Sequence, residues 1–406
     1  MHRSTIRNSY AATLLLLLLT TLATKKIQAQ FDIEDSNTTA SLRGIHNVGG
    51  GVAWASGTDG TVLRTEDGGY LWQTCTIPPG AEKLDFRGIQ AFDENTAIVM
   101  SSGKGDLSRL YKTTDGCQTW KLLFTNPDKE GFWDAIQFDQ RNKFRPTSKY
   151  PNHGILVGDP VGGVIVIYES YDSGANWQRW EESGGAPPSN MGHRSAKAAN
   201  GESLFAASNS ALAVPGINGP FLFVTGGKGG SHIFLPEPHS PLDNGTTWKF
   251  ATISLPFKSS DSSGAFSVSA RYSHGELSPD LMIVGGDYKE QTATEGTATF
   301  VRFRSSILDL FSSHVTTAQT PPHGYRSSVA YDAQQKLWIT VGPNGTDISR
   351  DDGKNWTPLT PSGYDPRDAD KNWNALSLPF VVGPKGRIGR LRTITQKPEA
   401  PTSPQK

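Results

Sequence analysis

Short apolar runs recur along the chain, and each of them ends at a glycine or a glycine-containing turn. A run that is apolar at nearly every position and bounded by glycine is typical of a β-strand buried on both faces. A β-propeller needs such strands, because each of its blades lies between two neighbouring blades. Seven runs have this form, at residues 52–57, 97–103, 154–159, 221–227, 281–286, 337–342 and 380–383.

A polar turn with the pattern Ser/Thr-x-Asp-x-Gly-x-Thr-Trp alternates with these runs. The Asp can accept hydrogen bonds from backbone amides of its own turn, and the Gly supplies the left-handed conformation that a tight hairpin needs. The Trp buries a large ring at the start of the next strand. The pattern therefore predicts a structural hairpin turn, with chemistry by the aspartates as the alternative. The copies contain Asp67 and Trp72, Asp115 and Trp120, Asp172 and Trp177, Asp243 and Trp248, and Asp351 and Trp356.

This turn resembles the Asp-box, also called the BNR repeat, which in the families that carry it joins the two outer strands of a propeller blade. The last two copies are about twice as far apart as the others, which indicates that one copy has been lost between them. Residues 296–300 stand where the lost copy would fall. A break of this kind is expected in a repeat protein whose units have diverged.

The two patterns together predict an all-β fold, a seven-bladed β-propeller of four-stranded antiparallel blades, with six or eight blades as the alternatives. The propeller should occupy residues 30–394 as a single domain with very little helix, followed by a disordered Pro-rich tail at 395–406. The last unit has only three strands of its own, and residues 31–34 are expected to supply the fourth, which would leave no open sheet edge. The stretch from 183 to 202 is predicted to be a long surface loop.

The first 29 residues have the pattern of a secretory signal peptide. Two arginines precede a leucine-rich stretch that is too short to span a bilayer, and Ala23 or Ala29 could precede the cleavage site. An uncleaved N-terminal anchor is the alternative. No later segment reaches transmembrane length, so the sequence predicts an exported protein, periplasmic or extracellular.

Charge and composition exclude several classes of function. The chain has 39 Lys and Arg residues against 39 Asp and Glu residues, so a nucleic-acid partner is not expected. Its two cysteines, Cys75 and Cys117, could pair in an oxidising compartment, but we expect two thiols, because neighbouring blades diverge towards their outer edges. The histidines are scattered, and no motif indicates a metal or a cofactor. We expect a monomer.

The loops on the propeller face opposite the repeated turns are the candidates for binding. We call this face, where the chain enters the first strands and turns after the second strands, the mouth. Arginine suits carboxylate recognition because it can donate two parallel hydrogen bonds. The mouth could therefore bind a carboxylate or an acidic peptide, although its charges could also merely solvate a polar channel or pair with one another. The candidate binding residues are Arg43, Arg87, Arg326, Lys104, Lys228 and Tyr288.

The string at residues 52–57 and 61–69, repeated in variant form along the chain, is similar to the photosystem II assembly factor family, and more closely to its relatives exported by non-photosynthetic bacteria. The resemblance implies a non-catalytic scaffold that binds a protein or peptide client through an arginine-rich patch and helps to assemble a membrane complex. Arg43, Arg87 and Arg326 are the arginines that fit this patch.

A glycoside hydrolase is the alternative function, because exported Asp-box propellers also include sialidases and xyloglucanases. Such an enzyme would use two of its own carboxylates to cleave a glycan. Asp159 and Asp287 are the best-placed pair at the mouth. The sialidase-like version is weakened because the chain lacks an early Phe/Tyr-Arg-Ile-Pro segment. The sequence therefore favours binding over catalysis.

Overall fold

Seven four-stranded antiparallel blades are arranged around a central axis, which confirms the predicted seven-bladed β-propeller. The structure is a computed structural model that describes residues 31–139, 153–180, 193–214, 221–236, 247–272, 279–303 and 313–394. The described part contains no helix of the length and apolarity needed to cross a bilayer. The predictions for residues 1–29 and 395–406 lie outside the described residues and stay predictions.

Three consecutive blades follow the predicted repeat, with strands numbered one to four from the axis outward. Blade 1 contains Leu42–Gly49, Val52–Gly57, Val62–Thr65 and Gln73–Thr74. Blade 2 contains Phe86–Ala91, Ala97–Ser101, Arg109–Thr113 and Lys121–Thr125, with a 3₁₀ turn at Gly105–Leu107. Blade 3 contains Trp133–Phe138, Gly154–Val161, Val164–Ser170 and Gln178–Arg179.

Blades 4 and 5 carry extra strands. Blade 4 contains Leu212–Ala213, Leu222–Val224, Ser231–Pro236 and Thr247–Leu255, and His193–Ser195 pairs in parallel with its outer strand. Blade 5 contains Ser263–Arg271, Asp280–Asp287, Ala298–Phe303 and Ser313–Thr317. Glu202–Ser203 pairs with Gly226–Gly227, which joins blade 5 at Gly264. Part of the predicted loop at 183–202 is thus strand, and residues 183–192 lie outside the described part.

The last two blades close the ring. Blade 6 contains Ser328–Asp332, Leu337–Gly342, Gly345–Ser349 and Thr357–Pro358. Blade 7 contains Ala375–Ser377, Phe380–Val382 and Ile388–Leu391, and Phe31–Glu34 adds its outermost strand in antiparallel register with Ile388–Leu391. The predicted closure between the N-terminal and C-terminal strands is therefore confirmed.

All seven apolar runs form the second strands of blades, because these strands are covered on both faces. In blade 1, Trp54 packs towards blade 2 whereas Ala53 and Ala55 pack towards blade 7. The other hydrophobic clusters also lie between adjacent blades. The core is thus a ring of interfaces between blades, and a strand between two such interfaces must be apolar at nearly every position.

The repeated turn joins the third and fourth strands, and its hydrogen bonds agree with the sequence analysis. In blade 1, the Oδ1 atom of Asp67 accepts hydrogen bonds from the Thr65 hydroxyl at 2.9 Å and the Leu71 amide at 3.0 Å. Asp115, Asp172 and Asp351 accept the equivalent bonds in blades 2, 3 and 6. These aspartates therefore have a structural part in the turns.

The tryptophans that close these turns stabilise the joints between blades. Trp72 of blade 1 packs edge-on against Phe380 of blade 7, with ring centroids 5.6 Å apart. Trp120 of blade 2 donates a hydrogen bond through Nε1 to the Thr76 carbonyl at 2.9 Å. Trp177 and Trp356 join the clusters shared with the preceding blades. Trp248 lies in the fourth strand of blade 4, whereas Asp243 falls outside the described residues.

Two predictions about the outer parts of the blades are wrong. Residues 298–303 form the third strand of blade 5, so residues 296–300 do not stand in the place of a lost turn, which would fall at 304–312, outside the described part. Cys75 and Cys117 form a disulfide between blades 1 and 2, with Cα atoms 5.3 Å apart. Their blades do not diverge here, because the turn of blade 2 folds back onto blade 1 and Thr76 donates a hydrogen bond to the Cys117 carbonyl.

Candidate functional site

A β-bulge near the start of the first strand carries one residue towards the mouth in each of blades 1, 2, 3 and 5. The register of pairing with the second strand shifts by one residue at each of these places. A bulge of this kind re-aims the side chain of the extra residue and is common next to functional sites. The extra residues are Arg43, Arg87, Asp134 and Phe266.

Segment 204–211, which leads into blade 4, lies across the central channel, and we call it the plug. Ser208 donates a hydrogen bond to the Ser327 carbonyl of blade 6 at 2.7 Å, and Ser210 donates to Ser267 of blade 5 at 2.7 Å. The Oδ1 atom of Asn209 accepts a hydrogen bond from the Ile136 amide of blade 3 at 2.8 Å. One segment is thereby tied to blades on several sides of the ring, so a ligand at the mouth meets the plug.

The sequence analysis did not find the plug. Its one local signal is a run of small polar residues, Ser208 to Ser210, placed directly before an innermost strand. Asn209 has a positive φ of 62°, a conformation in which Asn is enriched. The same composition is usual in surface loops, so the sequence could not distinguish the two cases.

Arg43 and Arg87, from blades 1 and 2, share a single carboxylate. Asp85 lies 3.3 Å from the Nε atom of Arg43 and 2.8 Å from the Nε atom of Arg87. Arg87 also donates through Nη1 to the Ala206 carbonyl of the plug at 3.2 Å. Burial and the neighbouring Arg87 lower the pKa of Arg43, and Asp85 opposes this shift. The trio retains a surplus of one positive charge at a partly exposed position.

Arg326 does not share that position, although the sequence analysis placed it at the same point of the repeat. A Cβ atom on Gly342 would lie 2.4 Å from the Tyr325 carbonyl, as one on Gly57 would lie 2.4 Å from the Ser41 carbonyl. Tyr325 is therefore equivalent to Ser41, and Arg326 is equivalent to the buried residue after Ser41 rather than to Arg43. The sequence alignment of the three arginines was one residue out in blade 6.

Arg326 is accordingly fully buried and bonded within blade 6. Its guanidinium pairs with Asp347, with a distance of 2.8 Å from Nε to Oδ2, and donates to the Asn344 side chain at 2.6 Å. Burial would raise the pKa of Asp347, but hydrogen bonds and charge from His323 and Arg326 outweigh it and lower the pKa. Arg326 is thus a structural residue that a ligand at the surface cannot reach.

Lys104 and Lys228 lie at the rim of the mouth and already have acidic partners. The Lys104 ammonium lies 2.5 Å from Glu130, and the Lys228 ammonium lies 2.8 Å from Asp261. All four side chains are mostly exposed, where such pairs contribute little to stability. Among the candidate basic residues of the mouth, it is therefore the Arg43–Arg87 pair that keeps a surplus of positive charge.

An aromatic cluster adjoins the plug. Phe205 of the plug stacks on Phe266 with ring centroids 4.0 Å apart, and Tyr325 meets Phe266 edge-on at 4.8 Å. Tyr288 packs edge-on against Phe205 at 6.4 Å and remains 41% exposed. A Cβ atom on Gly226 would lie 2.6 Å from the Phe205 ring, so this ring needs the glycine. Tyr288 thus offers an aromatic surface at the mouth.

The two carboxylates of the hydrolase hypothesis are held in separate environments. The Oδ1 atom of Asp159 accepts a hydrogen bond from the Leu204 amide at 3.0 Å. Burial raises the pKa of Asp159 to about 6. Asp287 accepts the Lys289 amide at 2.9 Å within its own turn. Burial would raise the pKa of Asp287, but hydrogen bonds from Ser262 and from backbone amides outweigh it and lower the pKa.

The carboxyl group that interacts with Asp159 is that of Asp134, which the sequence analysis did not single out. Asp134 is only 1% exposed, and its Oδ2 atom has no hydrogen-bond partner among the described residues. Burial and the charge of Asp159 raise the pKa of Asp134 well above its usual range, whereas Arg87 acts in the opposite direction. A carboxyl group buried to this extent cannot reach a glycan.

Known proteins resemble this chain in fold only. No family model matches the chain, and no curated protein is similar to it in sequence. A solved structure described as YCF48 bound to D1 peptide has 17% identity, a TM-score of 0.52, and covers 90% of this chain and 97% of its own. YCF48 from Cyanidioschyzon merolae has 17% identity and a TM-score of 0.50, covering 89% and 99%.

The WD40 β-propeller domain of Doa1 is also similar, with 8% identity, a TM-score of 0.51, and coverage of 91% and 98%. All three neighbours are propellers of nearly the same extent as this chain. At these identities the likeness supports the architecture alone. In the part of the chain that the structure describes, no three His, Cys, Asp or Glu side chains are grouped to hold a metal ion.

Proposed function

We propose that this protein is a non-catalytic propeller that binds an acidic peptide, or an acidic segment of a protein client, at the mouth. The observation that carries the proposal is the Arg43–Asp85–Arg87 trio, in which two guanidinium groups share one carboxylate. The surplus positive charge is partly exposed, and arginine can bind a carboxylate through two parallel hydrogen bonds. Tyr288 would add an aromatic contact beside it.

Two further observations support a binding function. One structural neighbour, YCF48, has been solved bound to a D1 peptide. The neighbours share the propeller fold, which often presents a binding surface at one end of its channel. In this chain the plug crosses the channel, so we place the ligand on the mouth rather than inside the channel.

We also propose that the protein is exported and acts as a monomer in the periplasm or outside the cell, and that its repeated turns are Asp-boxes. The signal-peptide pattern of residues 1–29 supports export. The disulfide between Cys75 and Cys117 supports it independently, because disulfides persist in oxidising compartments. Mass spectrometry of the native protein should find an N-terminus after Ala23 or Ala29, and an intact N-terminus would contradict export by cleavage.

Fluorescence polarisation with a labelled peptide of alternating aspartate and serine tests the binding site. We expect Arg43→Ala/Arg87→Ala to weaken binding at least about tenfold, because a desolvated charged pair is typically worth more than 1.4 kcal/mol. The matched control is Lys104→Ala/Lys228→Ala, which removes the same charge from the rim, where each lysine is already paired. The control should bind almost as well as the unmodified protein.

Three results would contradict the proposal. Equal losses in the two double variants would mean that binding depends on net charge and not on the arginine pair. Failure of the peptide to bind at any concentration would contradict the proposal that the ligand is acidic. Hydrolysis of xyloglucan or of sialosides that disappears in Asp159→Asn would restore the hydrolase alternative.

A further inference from the structure

Three ionisable side chains bind the plug directly beneath the mouth. Asp159 accepts the Leu204 amide at 3.0 Å, and Arg87 donates to the Ala206 carbonyl at 3.2 Å. Asp134 interacts with the Ala206 amide. Arg87 is also one of the two arginines proposed to bind the ligand, so the plug, the acid pair and the binding site are joined through a single side chain.

The acid pair, Asp134 and Asp159, is built so that its charge can change under ordinary conditions. Asp134 keeps a buried Oδ2 atom without a partner among the described residues, which is costly for an ionised carboxylate and tolerable for a protonated one. Burial raises the pKa of Asp159 to about 6 and that of Asp134 well above its usual range. Two neighbouring carboxyl groups in such a place resist double ionisation.

The charge of the mouth therefore depends on the protons held by this pair. Arg43, Arg87 and Asp85 together carry one positive charge. Ionisation of Asp159 cancels that surplus, and protonation of Asp159 restores it. Arg87 interacts electrostatically with Asp134, so the charge of the pair acts on one of the two arginines that would bind the ligand.

We propose that binding at the mouth is proton-linked: an acidic ligand binds the Arg43–Arg87 pair more tightly when the Asp134–Asp159 pair is protonated. The inference rests on the proposed function and adds its regulation. By linkage, a bound ligand must in turn favour the protonated pair, so binding takes up protons. A client would be held in a mildly acidic compartment and released at a higher pH.

Other charged groups surround the pair and must be separated from it. Arg87 faces it from blade 2 and is itself paired with Asp85. On the strand leading to the plug, Glu202 pairs with His232 at 2.9 Å, so His232 is a second ionisable group that a control variant must separate from the pair. Asp287 and Lys289 lie across the aromatic cluster, where hydrogen bonds lower the pKa of Asp287, so it stays ionised.

The experiment measures the dissociation constant of the labelled aspartate–serine peptide between pH 5 and pH 8 at constant ionic strength. The carboxylates of the peptide stay largely ionised over this range, so its own charge is nearly constant. We expect binding by the unmodified protein to weaken about tenfold as the pH rises, the change that one unit of pKa coupling gives. Asp159→Asn should bind with a pH-independent constant close to the value at pH 5.

Two control variants assign the effect to the acid pair. Asp287→Asn and His232→Gln should keep the pH dependence of the unmodified protein. Calorimetry in two buffers with different ionisation enthalpies should detect proton uptake on binding near pH 6.5, and Asp159→Asn should lose this uptake. The double variant Asp134→Asn/Asp159→Asn should bind the peptide almost as Asp159→Asn does, because the raised pKa of Asp134 already keeps that carboxyl neutral.

A pH-independent dissociation constant in the unmodified protein would overturn the proposal, as would a dependence that survives Asp159→Asn and disappears in His232→Gln. If the peptide binds at no pH, the proposed function fails separately, and unfolding then tests the acid pair alone. Because its pKa is raised in the folded state, Asp159 contributes to the stability of the protein below its unfolded pKa. This contribution is lost as the pH rises through about 6. The unmodified protein should therefore lose stability relative to Asp159→Asn between about pH 4 and about pH 6.5, and parallel profiles over this range would overturn the linkage.

Discussion

Removal of the disulfide between Cys75 and Cys117 should lower the free energy of unfolding by about 4 kcal/mol. The two cysteines are 42 residues apart, and the loop-closure entropy that the disulfide removes from the unfolded chain corresponds to about 4 kcal/mol at this length. The bond also joins blade 1 to blade 2 at the outer part of their interface. Cys75→Ala/Cys117→Ala is the direct test.

A second double variant separates the disulfide from the backbone. Cys117 has a φ of 64°, whereas the other described copies of the turn hold glycine at this position, at Gly69, Gly174 and Gly353. A residue with a side chain costs about 1 kcal/mol in this left-handed conformation. Cys75→Ala/Cys117→Gly should therefore be more stable than Cys75→Ala/Cys117→Ala by about 1 kcal/mol.

Urea unfolding followed by tryptophan fluorescence, with and without a reducing agent, measures both differences. The reductant should bring the unmodified protein to the stability of Cys75→Ala/Cys117→Ala and leave both variants unchanged. The reasoning would be refuted by an unmodified protein that does not respond to the reductant. A glycine variant less stable than the alanine variant would refute the argument about the backbone.

Three further predictions concern the packing between blades and the buried charges. Trp72→Ala should lower the unfolding free energy by about 3–5 kcal/mol, because the ring is buried against Phe380, and an unchanged urea midpoint would contradict this. Arg326→Ala should cost about 3–5 kcal/mol in the same assay because it leaves Asp347 buried without its partner, whereas Arg43→Ala should cost less than about 1 kcal/mol; equal costs would contradict the assignment of Arg326 as structural. Burial would raise the pKa of Asp32, but Arg392 and Arg390 outweigh it and lower the pKa, so Asp32 stabilises the closing strand above the unfolded pKa and loses this effect as the pH falls. Asp32→Asn should thus be less stable by about 1 kcal/mol at neutral pH, with the difference shrinking below about pH 4, and a constant difference would contradict this linkage.

The glycines and tryptophans of the sequence have local causes, and these parts of the fold were predictable. The chain contains 10 tryptophans, five of which close the repeated turns, and each copy of the turn contains at least one glycine. Thr65, Asp67 and Gly69 complete the hydrogen bonds of one turn among themselves. Because the partners are so close in the chain, the pattern of residue types was sufficient to locate this turn and its copies in blades 2, 3 and 6.

The site residues were predictable only in part. Arg43 and Arg87 lie at the mouth as expected, but Arg326 is displaced by one residue in register and buried. A shift of one residue moves a strand side chain to the other face, and nothing in the three-residue string around Arg326 reveals which register it takes. The acid pair likewise depends on Asp134 lying in a bulge, which only the pairing with the second strand defines.

The sequence by itself determined the propeller architecture, the second strands, the turns of blades 1, 2, 3 and 6 and the closing N-terminal strand. It did so because a strand covered on both faces must be apolar throughout, and because a turn satisfies its own hydrogen bonds. Only the tertiary structure decided the plug, the disulfide and the partners of each charge. These contacts join residues far apart in the chain, such as Ser208 and Ser327, 119 residues apart, and no local pattern records which distant groups the ring brings together.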